Sequence, residues 1–84
     1  MLKQRREQLA GLDILLGDLC REWGFCNRLT AADVVAQRTA LSDMEFAYAV
    51  LRAEKMNPEY KPDWVRRIRE KFVARFGASI SLVE

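Results

Sequence analysis

The sequence predicts a small all-α protein, a single domain over residues 1–84 that forms a bundle of four to five helices with short loops. Apolar residues recur three and four positions apart in two long segments, which is the period of a helix face. Two capping motifs mark further helix starts. The 84 residues include only four glycines and two prolines, so few positions interrupt helices, and the chain is too short for two large folded units.

The first long helix is expected over about residues 3–22. Gly24 follows it and suits the left-handed residue that commonly ends a helix. An apolar stripe on such a helix either covers the core of its own domain or pairs with a second copy as a coiled-coil seam. The stripe has spacings of three, four, three and four residues and comprises Leu9, Leu12, Leu16, Leu19 and Trp23.

Two capping motifs predict the middle of the fold. Thr30 with Asp33 resembles a capping box, and Ser42 with Glu45 has the full S-x-x-E pattern. The predicted elements are a short helix over about residues 31–38, a turn over residues 39–41 and a helix over about residues 43–55.

This middle pair has a helix-turn-helix-like outline. Its second helix begins with Asp43, Met44 and Glu45. The carboxylates of Asp43 and Glu45 would repel phosphate at the helix end that enters a DNA groove in such motifs. The sequence therefore argues against base reading by this pair.

Prolines organise the last part of the chain. Asn57 before Pro58 predicts a turn or one helical turn, and Pro62 opens a last helix over about residues 62–76. Gly77 ends that helix. The tail, residues 78–84, alternates weakly between apolar and polar residues, which fits a short strand or an extended C-terminal strap over the core; with no partner strand predicted, we expect the strap.

The inward faces of these helices define the expected core. Each position follows from the helical register of its segment. The predicted core residues are Leu12, Leu16, Leu19, Val35, Phe46, Val50, Leu51, Trp64, Ile68 and Phe72.

The last helix carries most of the positive charge. The whole chain has a net charge of only +2, yet residues 61–76 contain six cations and only two acidic residues. We expect this basic face to bind an anionic protein or a nucleic acid. The predicted partner-binding residues are Lys61, Arg66, Arg67, Arg69, Lys71 and Arg75.

Three of these cations, Arg67, Lys71 and Arg75, recur every four residues and form a cationic stripe. Like charges at this spacing repel by about 0.2–0.5 kcal/mol per pair on an isolated helix. Acidic side chains elsewhere in the fold, or an anionic partner, would offset the repulsion. If the face is only solvated, the expected neutralising residues are Asp13, Asp18 and Glu22.

Catalytic motifs are missing from the sequence. It contains no histidine, Gly-rich phosphate loop, nucleophile elbow or paired-carboxylate site, so we expect a non-enzymatic protein with no catalytic residues, metal or cofactor. The leading hypothesis is a protein–protein interaction module whose basic face contacts an acidic protein. The alternatives are a nucleic-acid-binding domain that uses the same face and a homodimer formed through the leucine stripe of the first helix. Monomer and homodimer both remain open.

The two cysteines, Cys20 and Cys26, are too few for a structural zinc site or a secreted disulfide scaffold. We expect two separate thiols in a reducing cytoplasm. A redox pair is the alternative, because Cys20 near a helix end could approach Cys26 across the intervening turn. No window of about 18 uncharged apolar residues occurs, which predicts a cytoplasmic protein with no membrane span.

Overall fold

The computed structural model describes residues 5–26, 28–36 and 38–82. In that part of the chain the protein is mostly helical, as predicted, with a small sheet of two short strands. The expected helix start at Lys3 lies outside the described residues. The elements are α1 (Arg5–Trp23), α2 (Ala31–Val35), β1 (Ala40–Ser42), α3 (Asp43–Ala53), a 3₁₀ turn (Pro58–Tyr60), α4 (Pro62–Phe76) and β2 (Ser79–Ser81).

Both predicted capping boxes are present. The Thr30 hydroxyl accepts the Asp33 N–H, and the Asp33 carboxylate accepts the Thr30 N–H. Ser42 and Glu45 make the same reciprocal pair at the start of α3, with distances of 3.1 and 3.0 Å. Each box satisfies N–H groups that a first helical turn leaves unpaired. Helix α2 is shorter than the predicted 31–38, because Ala36 has ψ 126° and leaves the helical conformation.

The remaining helix ends also follow local rules. Gly24 has φ 75° and its N–H donates to the Cys20 carbonyl at 3.0 Å, which ends α1. The Asn57 side chain caps the 3₁₀ turn. Lys61 has φ −130° and ψ 55°, outside the helical region, as expected for a residue before proline, and Pro62 then opens α4.

A disulfide joins Cys20 and Cys26. The expectation of two separate thiols is therefore wrong, and the alternative approach across the turn is the one that occurs. The left-handed Gly24 turns the chain back after α1, which brings the two Cα atoms to 4.4 Å.

The segment predicted as a turn over 39–41 and the segment predicted as a strap form strands instead. Strands β1 and β2 pair antiparallel, with Leu41 opposite Ile80. Both of these side chains are buried, while Ala40 and Ser81 on the other face are exposed. The predicted tail residues Val83 and Glu84 lie outside the described residues.

The two middle helices each pack chiefly on another helix. Helix α2 packs chiefly on α1, whereas α3 packs chiefly on α4. One reason is that β1 occupies the expected tight turn. Another is that the Asp13 carboxylate of α1 accepts the Ala31 N–H at 2.9 Å and so ties the start of α2 to α1.

The core contains eight of the ten predicted residues in fully buried positions. Leu16 and Trp64 are only partly buried and pack against the edge of the core. Their neighbours Leu15 and Val65 are buried instead. The helices are thus rotated by a fraction of a turn from the predicted register, within the breadth of a core-facing stripe.

Helix α1 is the longest element, and its leucine stripe is used inside the domain. Leu12, Leu15 and Leu19 are buried, whereas Ile14 on the outer side is 52% exposed. In the described part of the chain, no helix is both long and apolar enough to cross a membrane.

Removing side-chain volume at Ile68 tests the register of α4. Ile68 is 0% exposed, so Ile68→Ala should lower the free energy of unfolding by about 2–5 kcal/mol, measured by urea denaturation. Val73 on the same helix is 44% exposed and provides the control, because Val73→Ala should change stability by no more than about 0.5 kcal/mol. Equal effects of the two substitutions would contradict the register.

The Glu45 capping box makes stability depend on pH. The Ser42 backbone N–H holds the pKa of Glu45 below its ordinary value, and Arg38 also lowers it. A lowered carboxyl pKa stabilises the folded state above the unfolded pKa, and this contribution is lost as the pH falls through the folded pKa.

Glu45→Gln keeps an oxygen acceptor for the Ser42 N–H but does not titrate. The stability advantage of the unsubstituted chain over this variant should therefore shrink as the pH is lowered below about 4.5. Thermal denaturation of both chains across pH 3–7 measures this stability advantage. An advantage that stays constant with pH would show that it does not come from the lowered pKa of Glu45.

Candidate interaction surface

Acidic residues from other helices already pair with three cations of α4. Lys71 pairs with Glu22 of α1. Arg75 lies 3.8 Å from the carboxylate of Asp18, also on α1. The Arg69 side chain donates to Asp43 at the start of α3, at 3.1 Å. The repulsion expected between Lys71 and Arg75 is thus offset within the fold.

Two of the three expected neutralising residues, Asp18 and Glu22, take that role. Asp13 does not, because its carboxylate faces the other way and accepts the Ala31 N–H. The helical spacing of the three residues on α1 explains why Asp13 does not pair with α4. Positions 18 and 22 are one helical turn apart and face α4, whereas position 13 lies on the side of α2.

The other three predicted cations lie near the start of α4. Arg66 is 3.7 Å from Asp63 one turn earlier, and both side chains are largely exposed. Among the described residues, no carboxylate lies within 4 Å of Lys61 or Arg67. The charge that is available to a partner therefore concentrates at residues 61–67 and not along the whole helix.

Arg67 lies against an aromatic cluster formed by Trp23, Phe25 and Trp64. The guanidinium carbon of Arg67 is 5.1 Å from the centre of the Trp64 ring. Trp64 in turn makes edge-to-face contacts with Phe25, at 5.0 Å, and with Trp23, at 5.3 Å. The Lys71 ammonium is 5.5 Å from the Trp23 ring. The cluster is a partly buried platform that holds two cations at the surface.

Beside this platform is an open cleft of about 360 Å³, which we call the Tyr60 cleft. Tyr60 is 78% exposed, the largest exposed fraction of any big apolar residue in the described part of the chain. The capped 3₁₀ turn and the non-helical Lys61 direct the chain abruptly into α4, which leaves Tyr60 outside the packed core. The cleft is lined by Tyr60, Lys61, Pro62, Asp63, Trp64 and Arg67.

A second open groove of about 440 Å³ lies on the other side of α4, beside Val73 and Ala74. Two of its charged side chains, Asp43 and Arg69, already bond to each other. This groove therefore offers fewer unpaired charges than the Tyr60 cleft.

The residues lining the Tyr60 cleft include a tyrosine, a tryptophan and an arginine. Tyrosine, tryptophan and arginine are the residue types most enriched among the side chains that dominate protein–protein binding. Over residues 5–26, 28–36 and 38–82, no three Cys, Asp or Glu side chains are grouped so that they could hold a metal ion.

Comparison with family models, curated proteins and solved structures finds no match for this chain. Sequence reasoning identified the six cations but neither the shape of the cleft nor Pro62 as one of its lining residues. The signal was present in the Asn57–Pro62 segment, where two prolines and an Asn cap predict an exposed turn next to the basic helix.

Proposed function

We propose that the protein is a non-enzymatic interaction module that binds an acidic, extended segment of another protein in the Tyr60 cleft. The single observation that carries the proposal is the coincidence in this cleft of an exposed tyrosine with two cations, Lys61 and Arg67, that form no ion pair with any described carboxylate. The other predicted cations of α4, which are Arg66, Arg69, Lys71 and Arg75, each lie within 4 Å of a carboxylate.

Each wall of the cleft fits part of such a segment. Lys61 and Arg67 supply charge for carboxylates, and Arg67 is held in place by its contact with Trp64. The faces of Tyr60 and Pro62 supply an apolar surface for a side chain between those carboxylates. Tyrosine and proline side chains have few rotatable bonds and lose little conformational entropy on binding.

Nucleic-acid binding through the same face is the rival function. It would use Tyr60 as a stacking platform and the cations to follow a phosphate chain. One feature favours protein over nucleic acid. Arg69, Lys71 and Arg75 are paired with carboxylates, which interrupts the cationic track that a phosphate chain requires.

A homodimer through the first helix is the other alternative. Of the stripe, Leu12 and Leu19 are buried in the core, and Leu9, Leu16 and Trp23 pack against it, so a dimer through the stripe would first have to unpack part of that core. The burial of these side chains therefore favours the Tyr60 cleft over the leucine stripe as the contact surface.

An amide NMR titration tests the proposal. The probes are a synthetic peptide of glutamates flanking a proline–tyrosine pair, the same peptide with lysines in place of glutamates, and a single-stranded RNA oligonucleotide. We expect shifts at residues 60–67 with the glutamate peptide alone. Tyr60→Ala should weaken that binding by about five- to tenfold without loss of stability, because the side chain is largely exposed.

Charge reversal gives the matched control. Arg67→Glu should abolish the peptide-induced shifts, whereas Arg6→Glu should retain them. Arg6 is also an exposed arginine, and it lies towards the opposite end of α4, because Gly11 of α1 packs against Phe76 near the end of that helix. Salt-sensitive RNA binding with no peptide binding would favour the nucleic-acid function over the proposed one. Equal effects of Arg67→Glu and Arg6→Glu on peptide binding would refute the Tyr60 cleft as the binding surface.

A further inference from the structure

We propose that the Cys20–Cys26 disulfide is a thiol-exchange site for a dithiol reductant, and that its opening lowers the affinity of the Tyr60 cleft. The regulatory part of this inference rests on the proposed function. The exchange site itself rests on the position of the disulfide, its surroundings and its connection to the aromatic cluster.

The disulfide is within reach of a reductant. Cys26 is exposed and Cys20 is half-buried at the end of α1. An open cleft of about 240 Å³ lies beside them, lined by the two cysteines together with Asp13, Leu16, Gly17, Phe25 and Leu29. A disulfide at the surface beside an open cleft is accessible to an attacking thiolate, whereas a disulfide inside the core is not.

Opening the bond need not unfold the domain. The disulfide closes a loop with a sequence separation of only six residues, and short loops contribute least to the chain entropy that a disulfide removes. The Gly24 and Phe25 N–H groups also bond to carbonyls of α1. The buried core of α1, α3 and α4 does not include either cysteine. We therefore expect a local change in the loop that follows α1.

That loop is connected to the proposed binding surface through Phe25. The residue adjoins Cys26, is 93% buried and contacts both tryptophans of the aromatic cluster. Trp64 carries Arg67 on its ring. When the disulfide is open, the loop restrains the Phe25 ring less. Trp64, which packs on that ring, then restrains the Arg67 side chain less.

The exchange balances as a two-electron reduction. A thiolate of the reductant attacks the exposed Cys26 sulfur and forms a mixed disulfide, while Cys20 leaves as a thiolate and takes up a proton. The second thiol of the reductant attacks the mixed disulfide, releases Cys26 as a thiol and leaves the reductant as a disulfide. The dithiol supplies both electrons and both protons.

The position of Cys20 suits a regulated site better than a catalytic one. It lies in the last turn of α1, at the negative end of the helix dipole, which does not stabilise a thiolate. Thiol oxidoreductases gain reactivity from the opposite helix end. If the protein resides in the cytoplasm, a disulfide there is of the transient or sensing kind.

The test uses the full chain, with native reduction by dithiothreitol and alkylation of the released thiols. Two alkyl groups per chain, without denaturant, are the expected result. The sequence contains two tryptophans, Trp23 and Trp64, so their indole N–H signals report the aromatic cluster directly. Both signals should shift on reduction, while the methyl signals of buried Ile68 should not.

Affinity for the glutamate peptide should fall by about fivefold in the reduced chain, at the low end of typical coupling between sites. Cys20→Ser/Cys26→Ser should reproduce that lower affinity and should not respond to dithiothreitol. Resistance of the native disulfide to dithiothreitol, or unchanged indole signals after reduction, would overturn the inference.

The two proposals fail in distinguishable ways. Peptide binding that depends on Arg67 but is equal in the oxidised and reduced chains would overturn the regulatory inference and leave the proposed function standing. Indole signals that respond to reduction in a chain that binds no peptide would uphold the exchange site and overturn the proposed function, and with it the regulatory step.

Discussion

The rotation of α4 about its own axis is the constraint on which the rest of the structure depends, and a row of phenylalanines sets it. The Phe72 ring lies 5.2 Å from Phe46 of α3 and 5.1 Å from Phe76. Phe76 in turn fills the space beside Gly11 of α1, where a Cβ atom would come within 3.0 Å of its ring. Three helices thus meet along one row of rings. With Phe72 inward, Arg66, Arg67 and Val73 must face outward, and Trp64 lies at the edge.

The ion pairs on this helix follow from that rotation and do not cause it. Lys71 and Arg75 face α1, where Glu22 and Asp18 lie one turn apart. Pairs exposed to this degree contribute about 0–1 kcal/mol each, far less than the burial of a phenylalanine. Their effect is on the surface charge. They neutralise the second half of α4 and leave the unpaired cations at its start.

The helix ends were predictable because the sequence signals for them lie within a few residues of each end. The capping boxes at Thr30 and Ser42 and the glycine after α1 each depend on a few adjacent residues, and the sequence therefore predicts them well. The pairing of β1 with β2 joins segments about forty residues apart, and each strand has only three residues, too few for alternation to be distinguished from a turn or a strap. Trp64 and Val65 both fit an inward face, and only packing against Phe25 and Trp23 decides which of them lies at the edge.

The candidate surface was predictable in charge and not in shape, for the same reason. Six cations could be counted from the sequence, but which of them have partners depends on how α1 lies against α4. The aromatic cluster adds a second long-range dependence, because Phe25 in the loop after α1 contacts Trp64 of α4. A partly buried contact of this kind is less constrained than the contact between Phe46 and Phe72, both of which are 0% exposed. A change in the loop can therefore alter how Arg67 is presented while the core that sets the rotation of α4 stays intact.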